Sequence, residues 1–264
     1  MKNWALILGS SSGFGGAIAS AFADEGYSII GVHLDRAAGM DNVNKLIEEI
    51  KVKGVDVHFF NVNAADAEKR KNILDQVESG GFFKKGEDNI KVLVHSLAFG
   101  TLKPYFGDKH EDDLTQKQLE MTIDVMGNSI LYWSHDIIRR ELMGRGGKIF
   151  GMTSTGGHRV IYGYGAVSAA KAVLESHCRQ LALELPKFGI SCSPVQAGVT
   201  ETPAMRKIPN AQLIVEDALR RNPFDRLTVP QDVAEIIVSI TKQKGNWMNG
   251  NMIYADGGEN IVEL

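Results

Sequence analysis

Cysteine is almost missing from this chain of 264 residues: Cys178 and Cys192 are the only two, and they form neither a metal-ligand spacing nor a C-x-x-C redox pair. Two reduced, buried thiols in a reducing, cytoplasmic setting are therefore expected. Five of the seven histidines, His58, His110, His135, His158 and His177, share no ligand spacing either, so no metal site is expected. No window holds the roughly eighteen unbroken apolar residues of a membrane span. An excess of one charge is also lacking. The 29 Lys and Arg against 32 Asp and Glu leave a formal net charge of −3, with the basic residues scattered, which gives no electrostatic footprint for nucleic acid or an anionic membrane surface. Trp4–Leu8 must serve as a first strand, so a charged region followed by a cleavable apolar segment has no room before it, and secretion is not expected.

What is present is alternation. Short β-branched or apolar runs, Trp4–Leu8, Ser28–Leu34, Val57–Asn61, Val92–His95, Lys148–Thr153, Ile190–Val195 and Met252–Ala255, read as strands with helical patterns between them. This pattern predicts a single α/β domain over 1–264, doubly wound (Rossmann-type), with a mostly parallel seven-stranded sheet and helices on both faces. Ligands of such folds bind beyond the carboxyl ends of the strands. Turn residues around Gly80–Asn89 read as a surface connection rather than a domain linker. Proline is sparse, seven in all, yet Pro203, Pro209 and Pro223 fall between Thr200 and Arg226 around a short helical pattern, Gln212–Arg221. Such an excursion reads as a substrate lid at about 200–226.

Gly9-Ser10-Ser11-Ser12-Gly13-Phe14-Gly15 follows the first strand directly and opens a helical pattern, Gly16–Glu25. Glycines there permit a tight turn and close backbone approach, so a diphosphate can sit against the free N–H groups and the positive end of the helix. The spacing G-x-x-x-G-x-G resembles the short-chain dehydrogenase/reductase superfamily, and the resemblance extends over nearly the whole chain. It implies cofactor contacts from Gly9, Ser11, Ser12, Gly13, Phe14 and Gly15, from Asn61 and Val62 at the adenine, and from Ser96, Leu97 and Ala98 after the fourth strand. The loop Gln196–Thr202 resembles the family's loop at the nicotinamide carboxamide, implicating Gly198, Thr200 and Thr202. Asp35, about twenty residues past Gly15, stands where an acid would bind the adenosine ribose of NAD, whereas Arg36 beside it could receive a 2′-phosphate. His33 occupies the family's usual acidic position, which tilts the cofactor toward NADPH over NADH.

The superfamily's usual Tyr-x-x-x-Lys pair is absent. Lys171 sits in the lysine context, but Val167 stands four before it and Tyr164 seven before it. If both lie on one helix, the longer spacing shifts the hydroxyl about 4–5 Å along the axis. In a ketone the carbon that accepts hydride bears the oxygen; in an α,β-unsaturated thioester hydride goes to the β carbon and charge develops on a carbonyl oxygen two carbons away. Tyr-x6-Lys, with His95-Ser96-Leu97-Ala98-Phe99, resembles the dehydrogenase-like class of enoyl-acyl-carrier-protein reductases. Met126 replaces the superfamily's long-helix asparagine, and Ser154, seventeen before Lys171, is read as a substrate contact or a strand-end cap.

The resemblance implies reduction of an enoyl thioester, carried on acyl carrier protein or coenzyme A, in fatty-acid synthesis. Tyr164 would donate to the developing enolate oxygen, while Lys171 binds the nicotinamide ribose and lowers the phenol's pKa. It also implies a homo-oligomer, dimer or tetramer, through the helix Leu131–Leu142 and the one after Tyr164. Two other readings stay open: a carbonyl or hydroxysteroid-type oxidoreductase with a nonstandard acid, such as Tyr162, and a nucleotide-sensing protein that has lost catalysis.

Overall fold

In the computed structural model, which describes residues 2–263, Trp4, Leu6 and Leu8 of the first strand enter one apolar core and Ala5 and Ile7 enter another. A strand turns successive side chains to opposite faces, so a run that is apolar throughout must be covered on both sides. The strands are β1 (Asn3–Leu8), β2 (Ser28–His33), β3 (Val57–Asn61), β4 (Asn89–His95), β5 (Lys148–Thr153), β6 (Ser191–Ala197) and β7 (Ile253–Ala255). Every pairing is parallel, in the order β3-β2-β1-β4-β5-β6-β7, so the sheet is wholly rather than mostly parallel.

The helices are α1 (Gly13–Asp24), α2 (Met40–Lys51), α3 (Ala67–Ser79), α4 (Gln116–Ile123), α5 (Ser129–Arg139), α6 (Gly165–Glu184), α7 (Ala211–Arg221) and α8 (Pro230–Lys242). Ile18 and Phe22 of α1, Ile50 of α2 and Ile237 of α8 cover the Ala5/Ile7 face; Leu74 of α3, Trp133 of α5 and Leu174 of α6 cover the other. The Trp133 indole donates to the Ala64 carbonyl at 2.8 Å, which pins α5 to the loop after β3. None of the described helices is long and apolar enough to cross a membrane.

Several element ends move relative to the sequence reading. β2 stops at His33 because Leu34 turns outward, 54% exposed. β6 runs past Val195 because Ala197 pairs with Ala255 of β7. The connection read at Gly80–Asn89 lies on the surface but is anchored from inside, since Phe82 and Phe83 pack on Trp4 with ring centroids 5.6 and 6.0 Å away. The long-helix region is not one uniform helix: a π-helical turn, Asp124–Asn128, joins α4 to α5. Such widened turns cluster at functional sites.

Candidate active site

The strand order reverses between β1 and β4, and the loops leaving these two strands meet there. A Cβ on Gly9, whose φ is +87°, would collide with the Ser96 carbonyl, and one on Gly15 would collide with the Gly9 carbonyl. Only glycine lets the β1–α1 loop close against the end of β4. Ser12 occupies the N-cap of α1 without making a side-chain cap bond, so the helix turns its first N–H groups and its positive end outward for an anion. A backbone cradle and a free helix terminus are what a dinucleotide diphosphate requires. The residues of this loop therefore fit that group.

Farther along the same edge the predicted adenosine residues are tied to one another. Asn61 accepts from the Asp35 backbone N–H at 3.0 Å and donates to the Asp35 carbonyl at 2.9 Å. Val62 donates its N–H to the His33 carbonyl at 2.7 Å. The Asp35 carboxylate is occupied by Nδ1 of the buried His33, 2.9 Å away. Arg36 is exposed and makes no ion pair among the described residues. The structure thus distinguishes the two side chains physically: one committed carboxylate and, among the described residues, one guanidinium without an ion pair.

Beyond the switch point lies a cavity of roughly 270 Å³. Of the predicted residues, Phe14, Ser96, Leu97, Ala98, Ser154, Tyr164, Lys171, Gly198, Thr200 and Thr202 line it; Gly9, Ser11, Ser12, Gly13, Gly15, Asp35, Arg36, Asn61 and Val62 do not, and form the edge leading to it. Tyr164 is not a helical residue. It is the N-cap of α6, with φ −98° and ψ −1°, and its carbonyl accepts the first helical bond from the Ser168 N–H. The phenol ring lies over Gly156, where a Cβ would come within 2.5 Å of it. Tyr162 is 66% exposed and outside the cavity wall, whereas Tyr164 is 8% exposed. Val167 and Met126, at the two positions where the superfamily's polar groups are missing, form apolar wall.

The electrostatics of the site differ from expectation at one point. Burial pushes the Tyr164 phenol above its ordinary pKa; Ser154 opposes the rise, and Lys171 does not contribute. The Ser154 Oγ is itself buried beside the ring without a hydrogen bond of standard geometry, so strand-end capping is not its role. Lys171 lies 6% exposed beneath the cavity, donating to the Met152 carbonyl at 2.7 Å and more weakly to the Leu97 carbonyl at 3.3 Å. Desolvation lowers it to about 8, with Glu175 partly offsetting the effect. An ammonium has three protons to donate, so one remains for a ligand.

Sequence reasoning anticipated the roof of this site as the 200–226 lid without naming its residues, and missed the floor and the buried group behind it. His95 is completely buried and held neutral, its pKa lowered to about 3 by desolvation and by the Lys171 charge. Ser129 donates to the Val125 carbonyl at 2.7 Å, so its oxygen accepts from His95 Nε2–H at 2.8 Å. Met152 and Gly156 complete the floor, and Met205, Ile208 and Ile214 hang from the 200–226 segment as the roof. The apolar spacing within that segment carried the signal for the roof; nothing local marked Gly156 as the seat of a ring.

Fold and site together define a dinucleotide-binding oxidoreductase. The chain belongs to the short-chain dehydrogenase/reductase superfamily, a group of nicotinamide-dependent oxidoreductases: the family described as Enoyl-(Acyl carrier protein) reductase matches residues 9–260. It is 29% identical to an NADPH-dependent aldehyde reductase-like chloroplastic protein of Arabidopsis thaliana, over 96% of this chain and 93% of that protein. It is 25% identical to a 3-oxoacyl-[acyl-carrier-protein] reductase of Staphylococcus aureus, over 98% of each. The crystal structure of an NADH enoyl-[acyl-carrier-protein] reductase from Aquifex aeolicus shares the fold with a TM-score of 0.83 at 23% identity, covering 100% of this chain and 98% of that one.

Proposed function

We propose that the protein reduces the α,β double bond of an enoyl thioester, with the acyl group presented on acyl carrier protein or coenzyme A. The observation that carries this reading is the placement of Tyr164 seven residues before Lys171, at the N-cap of α6, inside a cavity whose walls at Val167 and Met126 are apolar. A bound reduced nicotinamide would supply the hydride. Tyr164 donates a hydrogen bond to the thioester carbonyl oxygen as negative charge grows there, in a site shielded from water by Met205, Ile208 and Ile214, and the resulting enolate takes a proton at its α carbon from the phenol or from solvent to give the saturated thioester. Lys171, fixed by two backbone carbonyls, keeps one proton that would hold the dinucleotide ribose. The 200–226 segment acts as the lid.

Steady-state assays with NADPH or NADH test the reading: a trans-2-enoyl thioester should be consumed and a 3-ketoacyl thioester should not. Carbonyl reduction is favoured by one observation, the Ser154 hydroxyl beside the phenol, and consumption of the ketoacyl thioester alone would establish it instead. Consumption of neither would leave a sensor.

For the cofactor, NADPH is the better fit, because Asp35 is engaged by His33 while Arg36 is free. Arg36→Ala should raise the KM for NADPH about tenfold, the scale of a charge-assisted hydrogen bond, and leave that for NADH unchanged. Equal changes for both cofactors would remove Arg36 from the 2′-phosphate site.

A further inference from the structure

Glu259 is a carboxylate in a short 3-10 turn after β7, and it is only 1% exposed. Its Oε2 accepts the Val199 N–H at 2.9 Å. Val199 lies between Gly198 and Thr200, all three lining the cavity with Tyr164 and Lys171. On its other side Glu259 meets Arg221, the last residue of α7: the guanidinium donates to the Glu259 carbonyl at 2.9 Å and approaches its Oε1 at 3.6 Å. Arg221 is in turn bound to Asp217 of the same helix at 2.8 Å. A Cβ on Gly198 would come within 3.0 Å of Glu259 Oε2, so carboxylate and loop backbone are in close apposition.

We infer that Glu259 is a positioning residue that latches the lid helix α7 to the cofactor-facing loop 198–200, through Arg221 on one side and the Val199 N–H on the other. The inference rests on the dinucleotide occupying this cavity, and it does not depend on which acyl substrate is reduced. A buried carboxylate is costly unless its oxygens are engaged, and these oxygens are engaged by two different chain segments. Burial pushes the Glu259 carboxyl above its ordinary range, against the opposing pull of the Val199 N–H and Arg221. The arrangement makes the loop's position dependent on where α7 sits, so closing the roof and setting the floor of the nicotinamide end become one event.

The test uses the full chain, titrated with NADPH or NADH by fluorescence and digested with trypsin, which reaches the exposed Arg206 and Lys207 of the lid. Glu259→Ala should weaken reduced-dinucleotide binding about tenfold, the value of one charge-assisted hydrogen bond, and should speed cleavage at these sites when dinucleotide is bound. Glu259→Gln keeps the side chain's size and one acceptor for Val199 while losing the charge facing Arg221; it should recover most of the affinity and retain the fast cleavage. Should Glu259→Ala be unable to fold, the glutamine variant alone decides through its cleavage rate. Lowered thermal stability with wild-type affinity and wild-type cleavage in the variants would overturn the latch. Failure of the wild type to bind either dinucleotide would overturn the cofactor reading and the latch with it.

Discussion

Replacing Tyr164 by phenylalanine is expected to lower turnover of an enoyl thioester by about 10²- to 10³-fold, the loss that follows removal of one donor to a developing oxyanion, while reduced-dinucleotide affinity stays at the wild-type level. The ring is the structural part of this residue. It rests on Gly156 and packs with Val125, Met126, Val167 and Ala170, contacts that phenylalanine keeps. The hydroxyl is the chemical part. Burial keeps it protonated, raised above its ordinary pKa, so it remains a donor throughout the range in which the protein would be assayed. Stopped-flow or steady-state turnover combined with a binding titration separates the two parts. Unchanged turnover would take Tyr164 out of the chemistry, and lost dinucleotide affinity would make it a cofactor contact instead.

Lys171 carries the second large effect. Its ammonium is lowered to about 8 by desolvation, and its assigned role requires the charged form. The sign follows directly: below pH 8 the group is protonated and dinucleotide affinity is flat; as pH rises through about 8 the free protein loses the proton and affinity declines. Lys171→Met should bind dinucleotide at least about tenfold more weakly, because charged hydrogen bonds are worth roughly 1.5–3 kcal/mol each, and should show no such decline between pH 7 and 9. Affinity titrations across that range in both proteins provide the check. A wild-type profile that is level through pH 9 would mean that the side chain serves only to join the Met152 and Leu97 carbonyls.

The sheet was legible because its strands are buried on both faces: Ile29, Ile30 and Val32 of β2, or Val92, Leu93 and Val94 of β4, cannot be read as amphipathic helix at so short a length. The glycine loop was legible for a related reason, since Gly9 and Gly15 stand where backbone meets backbone, and only one residue type allows it. The start of α6 was not. Gly163 takes a left-handed turn with φ +74° immediately before Tyr164, and the helix opens only at Gly165, which leaves Tyr164 as its cap. Spacing arithmetic placed the phenol on the helix because it counts residues and carries no backbone conformation.

Charges were the least legible feature. His33 stands where an acid was expected, and its role emerges only from the carboxylate it holds two residues later. Nothing in its local sequence marks Glu259, whose partners come from α7 and the loop after β6. Lys171 looked like a source of positive charge for the tyrosine, whereas the fold spends its hydrogen bonds on two carbonyls and lowers its own proton affinity. Propensity and periodicity describe which face is apolar; they do not carry the partner of a buried charge, because the partner comes from elsewhere in the chain.

In the proposed reaction hydride goes to a carbon remote from the oxygen that Tyr164 serves. Reduced dinucleotide carrying deuterium at the transferring C4 position, turned over with a trans-2-enoyl thioester and with a 3-ketoacyl thioester, shows by NMR where the label lands. Deuterium is expected on the β carbon of a saturated thioester and none in the ketoacyl sample. Deuterium on the carbinol carbon of a 3-hydroxyacyl product, with the enoyl thioester returned unlabelled, would contradict it.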